Sequence, residues 1–141
     1  MRYLGIDFGT KKVGLALSDE AGAMGFPFAI VPNDGRLIDY LRQLIVQKEV
    51  GEVVMGESLM LDGRANTVHA RAKEFAQLLE RDPGIPVSWE SEQFTTELAR
   101  RDPEGIRNNS AVAVDAAAAA LILTAFLERK KNGSISQTEN V

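Results

Sequence analysis

Residues 3–18 read YLGIDFGTKKVGLALS, two apolar runs on either side of the turn Gly9-Thr10-Lys11-Lys12. Tyr3–Phe8 and Val13–Ser18 have the length and composition of strands, and the short glycine-containing turn predicts an antiparallel hairpin. Asp7 interrupts the first run. A carboxylate inside a strand that should be buried costs on the order of several kcal/mol unless a partner meets it. That partner has to come from elsewhere in the chain.

Outward from the hairpin, Gly25–Val31 predicts a third strand, and Pro27, which removes a backbone donor, puts it at the sheet edge. Asn33-Asp34-Gly35 breaks the chain before a helix over Arg36–Lys48, where Leu37, Leu41, Leu44 and Ile45 recur at helical spacing. Glu52–Gly56 is a short apolar strand suited to parallel pairing. A polar loop over Leu59–Asn66 follows, then a helix over Thr67–Arg81 with Val68, Ala72, Phe75, Ala76 and Leu79 inward. Pro83-Gly84 ends it, Pro86–Glu90 is a fifth strand, and Thr95–Arg101 a short helix. Asp102–Ser110, rich in Pro, Gly and Asn, reads as a mobile loop, with Ser110 capping a last helix over Ala111–Lys130. The order predicts one three-layer α/β domain over residues 1–130, with a five-stranded mixed sheet flanked by helices, and a disordered tail over 131–141.

The 141 residues suffice for one cored domain, and 45% apolar with 26% charged residues is a globular composition. With no cysteine there is neither a disulfide frame nor a thiolate metal site. No membrane span or secretory signal is visible, so the expectation is a cytoplasmic protein without a membrane partner. A net charge of −4 argues against a general nucleic-acid binder but leaves room for a local basic patch.

Three further acids stand where Asp7 could meet them. In VAVDAAAAALILTAF, Asp115 shares a helix face with Ala111, Ala119, Ile122 and Phe126, the face that must pack on the sheet. Glu92 follows strand five, and Glu57 follows strand four. Parallel strands of an α/β sheet bring their carboxyl ends to one edge, where sites are built. Gathered carboxylates repel unless protons or a cation neutralise them, and an oxygen-only donor set suits Mg²⁺ or Mn²⁺. Such a centre would act on a phosphodiester, with Thr10, Lys11, Lys12 and Arg107 as candidates to hold the phosphate backbone. Arg100 and Arg101 flank the same loop. His69 reads as a surface residue and Trp89 as packing.

The stretches GIDFGTKKVGLALSD, VVMGESLMLDGRANTVHARAKEFAQLL, SEQFTTELA and VDAAAAALILTAFLE, in this order, resemble the YqgF/RuvX family of the ribonuclease H-like superfamily. The resemblance implies a ribonuclease H-like fold and a Holliday-junction-resolvase-like hydrolase that processes precursor 16S rRNA in ribosome biogenesis. It further implies metal-ligand roles for Asp7, Glu92 and Asp115, with Glu57 as a possible fourth ligand, and matches Asp62-Gly63 to a family loop. Nucleic acid is the implied partner, precursor rRNA ahead of a DNA junction; no oligomeric state is implied. The chain departs from the family pattern at Ser91 and Gln93, at Ala111 and Ala113 in place of lysines, and at Glu57-Ser58 in place of Leu-Pro. A binding module of the same fold without turnover is therefore the alternative reading. Two other classes share short motifs with the chain. An ATP-binding fragment of the actin, Hsp70 and sugar-kinase class would need a second phosphate motif, which is missing, and nothing beyond Asp-Phe-Gly points to a protein kinase.

Overall fold

The computed structural model describes residues 1–57, 67–82, 84–91 and 111–140, with side chains described for 1–56, 70–82, 84–90 and 116–131. The elements are β1 (Arg2–Phe8), β2 (Lys12–Ser18), β3 (Gly25–Pro32), α1 (Leu37–Gln47), β4 (Val50–Glu57), α2 (Thr67–Arg81), β5 (Val87–Ser91) and α3 (Ala111–Asn140). The strands form one mixed sheet in the order β3-β2-β1-β4-β5. β1 pairs antiparallel with β2 and parallel with β4, and β4 runs parallel to β5. The expected hairpin is thus the antiparallel half of the sheet, and Pro27 does lie on the edge strand. Leu15 faces Ala29 and Ala16 faces Pro27, so Phe28 is the extra residue of a bulge.

Period-two alternation divides the sheet into two faces. Leu4, Ile6, Phe8, Val13, Leu15, Val53 and Met55 pack under α1 and α2, with Leu37, Leu41, Leu44, Ile45, Ala72, Ala76 and Leu79 supplied by the helices. The helical stripes read from spacing therefore face this core, with Phe75 half-buried against it and Val68 outside the described side chains. Trp89 packs against this core as expected. The opposite face, Tyr3, Ala16 and Val54, is covered by Ala119, Ala120, Ile122, Leu123, Phe126 and Leu127 of α3.

That second interface is unusually close. A β-carbon built on Gly5 would stand 2.9 Å from Leu123 Cβ and 3.0 Å from the Ala119 carbonyl oxygen. One built on Gly25 would stand 3.0 Å from the Ala120 oxygen. Glycines on the strands and alanines on the helix together let α3 lie almost on the sheet backbone. Gly25 N–H also donates to Thr124 Oγ1 at 3.1 Å, which pins the helix to β3.

The element limits differ in modest ways. β4 starts two residues before the expected Glu52, because Val50 is buried and pairs with Arg2. α3 runs on to Asn140 instead of stopping at Lys130, so the expected tail boundary falls within a helix. The Leu59–Asn66 loop, the Thr95–Arg101 helix and the Asp102–Ser110 loop lie outside the described residues. Among the described residues no helix is long and apolar enough to cross a membrane.

Candidate functional site

Asp7 lies one residue from the end of β1, on the face that carries Tyr3 and Gly5 and therefore faces α3. Its partner across β2 is Gly14. On the other side Ile6 pairs with Met55, so the next step brings Asp7 level with Gly56 of β4, which in turn pairs with Glu90 of β5. One row across the sheet thus reads Gly14, Asp7, Gly56, Glu90. Neither immediate neighbour of Asp7 carries a side chain, which leaves a half-buried carboxylate flanked by bare backbone.

The direction of α3 decides where Asp115 falls. Ala119 and Leu123 lie against Gly5, while Phe126 meets Tyr3 with ring centroids 6.2 Å apart and Lys130 Nζ donates to Tyr3 Oη at 2.6 Å. The helix therefore runs antiparallel to β1. Position 115 is one turn before Ala119, about 6 Å along the axis. Asp7 is two residues past Gly5, about 6.6 Å along the strand in the same direction. The backbone brings positions 7 and 115 to the same level on the same face.

The other expected residues distribute as follows. Glu57 ends β4 and pairs with Ser91 of β5, at the same carboxyl edge as Asp7. Thr10, Lys11 and Lys12 are exposed in the β1–β2 turn beside that edge. Asn33 ties this turn to the start of α1: its Nδ2 donates to the Gly9 oxygen at 2.7 Å and its N–H to the Lys11 oxygen at 2.9 Å. Glu92 and Arg107, like Arg100 and Arg101, lie outside the described residues, and for Glu57 and Asp115 the backbone alone is described. Among the described residues no three of His, Cys, Asp and Glu gather as a metal-ion group. Asp7 is the one expected ligand whose side chain that statement covers. The expected ligands are all carboxylates, a donor set whose chemistry would suit a hard divalent cation.

Sequence reading missed Glu90. It is 1% exposed, and Arg129 Nη2 of α3 lies 3.4 Å from its Oε2. The signal was present in Trp89-Glu90: with Trp89 turned to the α1–α2 core, alternation sends Glu90 to the α3 face. Beside it Ser88 Oγ donates to Glu52 Oε2 at 2.9 Å, and Glu52 Oε1 lies 3.8 Å from Lys130 Nζ. The hydrogen bond to Tyr3 and the Glu52 charge hold the Lys130 ammonium above its ordinary pKa, against the opposing effect of partial burial.

The chain is similar to several known proteins. A relative from Koribacter versatilis (strain Ellin345), named "Putative pre-16S rRNA nuclease", is 39% identical over 134 residues, covering 92% of this chain and 88% of its own. One of the same name from Protochlamydia amoebophila (strain UWE25) is 34% identical over 141 residues, covering 92% and 94%. Among solved structures, T. thermophilus RuvC in complex with Holliday junction substrate superposes with a TM-score of 0.65 at 18% identity, covering 93% of this chain and 96% of that one. The fowlpox virus Holliday junction resolvase gives 0.56 at 13% identity, covering 92% and 99%. The fold is that of ribonuclease H-like resolvases. Residues 1–129 match the family described as RuvX, Holliday junction resolvase, and the chain belongs to that family of hydrolases.

Proposed function

We propose that the chain is a metal-dependent nuclease that hydrolyses phosphodiester bonds in structured nucleic acid, with the 5′ end of precursor 16S rRNA as the favoured substrate. The observation that carries this reading is the level placement of Asp7 and position 115 on one sheet face, at the carboxyl edge of the parallel strands. The names of the relatives support precursor rRNA, and the junction complex of a structural neighbour supports folded nucleic acid as the class.

Asp7, Asp115 and Glu92 are the residues that would hold Mg²⁺ or Mn²⁺, with Glu57 assisting. When bound, the cation polarises the phosphodiester and lowers the pKa of a water nucleophile. The chain's own groups do the rest. The strand would fix the Asp7 carboxylate in place, and a helix carries position 115 at the same level, so little ordering would remain for the moment of reaction. Thr10, Lys11 and Lys12, with Arg107, bind phosphates, offsetting the repulsion that an acidic centre exerts on a polyanion.

The test is cleavage of a labelled RNA stem–loop and a four-way DNA junction in Mn²⁺ by wild type, Asp7→Asn and Asp115→Asn, with calorimetric Mn²⁺ titration of each. Loss of both Mn²⁺ uptake and cleavage in the variants supports the nuclease. Cleavage by Asp7→Asn at the wild-type rate ends it. Tight binding of either substrate by a wild type that never cleaves would identify the binding module instead, a reading favoured by Ala111 and Ala113 in place of family lysines.

A further inference from the structure

We infer that Phe26 and Phe28, exposed on the edge strand β3 with Met24 beside them, form a stacking strip for unpaired RNA bases, and that Lys48 meets the backbone there. This rests on the nuclease reading and adds a substrate class to it: a folded RNA that carries a single-stranded extension.

Period-two alternation places the strip. Gly25 faces α3, since a β-carbon there would meet Leu123, so Met24 and Phe26 on either side of it point to the α1 face. Phe26 pairs with Leu17, which packs against the α1–α2 core, yet Phe26 itself is 51% exposed and Met24 53%. Phe28, the extra residue of the bulge, is 40% exposed and reaches the same side. Lys48 directly follows α1, and its Nζ lies 5.8 Å from the Phe28 ring centroid.

A run of large apolar side chains open to water, unlike a single one, marks a contact surface. The backbone beneath these residues argues against an added strand as the contact. Pro27 and Pro32 have no N–H, Gly25 N–H is taken by Thr124 Oγ1 at 3.1 Å, and the bulge breaks the ladder. Such an edge resists sheet extension by a second copy or an extended peptide. What it offers is side chains. Alternate residues stand about 6.8 Å apart along a strand. That is about twice the 3.4 Å rise per base of a stacked duplex strand, so bases drawn out of their own stack can each meet one side chain. A phenyl face stacks on any base, and an ammonium beside it suits the phosphate.

The strip leads to the proposed site. Pro32, at the far end of β3, pairs with Lys12 beside the β1–β2 turn. Phe28 to Pro32 is four residues, about 13 Å, the length of about two unstacked nucleotides. The strip is on the α1 side and Asp7 on the α3 side, so the RNA crosses the sheet edge at Gly9–Lys12. A single strand can turn that corner, whereas a stiff duplex cannot.

The test uses wild type, Phe26→Ala/Phe28→Ala, Lys48→Gln and the control Leu78→Ala, an exposed apolar residue of α2. One probe is a blunt fluorescein-labelled RNA stem–loop, and the others carry a six-uridine extension at the 5′ or the 3′ end. Affinity is read by anisotropy in EDTA across a salt series, and the mass of each protein by sedimentation. Wild type and Leu78→Ala should bind one extended RNA at least about fivefold more tightly than the blunt one, the least that one stacked base contributes. Phe26→Ala/Phe28→Ala should lose that preference while binding the blunt RNA as wild type does, which also shows it folded. Lys48→Gln should lower the salt slope for the extended RNA by about 0.7, the single-strand value, and leave the blunt slope unchanged. Equal wild-type affinity for blunt and extended RNA overturns the strip, as does a preference that survives in Phe26→Ala/Phe28→Ala. A wild-type dimer that the double variant converts to a monomer also overturns it and assigns the patch to a second copy. If wild type binds none of the RNAs, the nuclease reading fails and this inference with it. If it binds all of them alike, the inference fails alone.

Discussion

Gly5 of β1 and Leu123 of α3 touch so closely that a methyl group on Gly5 would stand 2.9 Å from Leu123 Cβ, with the Ala119 carbonyl oxygen 3.0 Å away on the same side. A leucine tip can turn aside, but a β-carbon and a helix carbonyl cannot. Gly5→Ala should therefore push α3 off the sheet and cost about 1–3 kcal/mol, the range for overpacked cores. Because the same contact sets position 115 level with Asp7, cleavage should fall further than the loss of folded protein explains. Gly35→Ala, with nothing within 4 Å of the added methyl, is the matched control and should leave the urea midpoint unchanged or raised.

The exposed turn lysines give a second prediction. Lys11→Ala/Lys12→Ala should weaken RNA stem–loop binding and lower the salt slope by about two, with no change in thermal stability, since both side chains are exposed. An unchanged slope would remove the turn from the substrate path.

Lys130 predicts a pH dependence. Its folded-state pKa stands above the ordinary 10.5, chiefly through the Tyr3 hydrogen bond and then the Glu52 charge. The stabilisation is complete below pH 10.5 and is lost as the pH rises through the raised value. With 43% of the side chain exposed, the contribution is small, less than about 1 kcal/mol. Urea unfolding should show Lys130→Met less stable than wild type at pH 8, with the gap closing as the pH rises past the ordinary lysine value of 10.5. A constant gap would mean lost packing, not lost charge.

Glu49 offers a gain. It follows the last turn of α1 with φ at 53°, a left-handed conformation that glycine adopts freely and other residues at a cost of about 1 kcal/mol or more. Its side chain is exposed, so Glu49→Gly forfeits no core contact, although the freer unfolded chain takes back part of the gain. A net rise of about 0.5 kcal/mol in unfolding free energy is expected, and a lower urea midpoint would contradict it.

Most of the fold was legible because its signals are local. The Gly9–Lys12 turn between apolar runs determines the hairpin, Pro27 sends β3 to the edge, and Leu37, Leu41, Leu44 and Ile45 trace α1. The inner face of α3 was legible from its alanines, and with it the side on which Asp115 falls. What escaped were features set by tertiary partners. Glu90 resembles any acid at a strand end until Arg129 and the overlying helix are in place. The extra β4 residues depend on pairing with β1, and the continuation of α3 through Gly133 runs against local propensity. Of the acids proposed for the site, Asp7 and Asp115 stand out in the sequence as charges within apolar runs, whereas Glu92 and Glu57 lie where an acid needs no special reason.

The position of β1 at the centre of the sheet bears on how the molecule comes apart. Among the described residues β3 and β5 are the outer strands of the sheet, while β1 is hydrogen-bonded on both sides and lies between two cores. Its amides should exchange with solvent deuterium only through global opening, and those of β3 through local fraying. The strand that carries Asp7 is then among the last to lose its shape, so partial melting from either margin would leave the Asp7 carboxylate still seated.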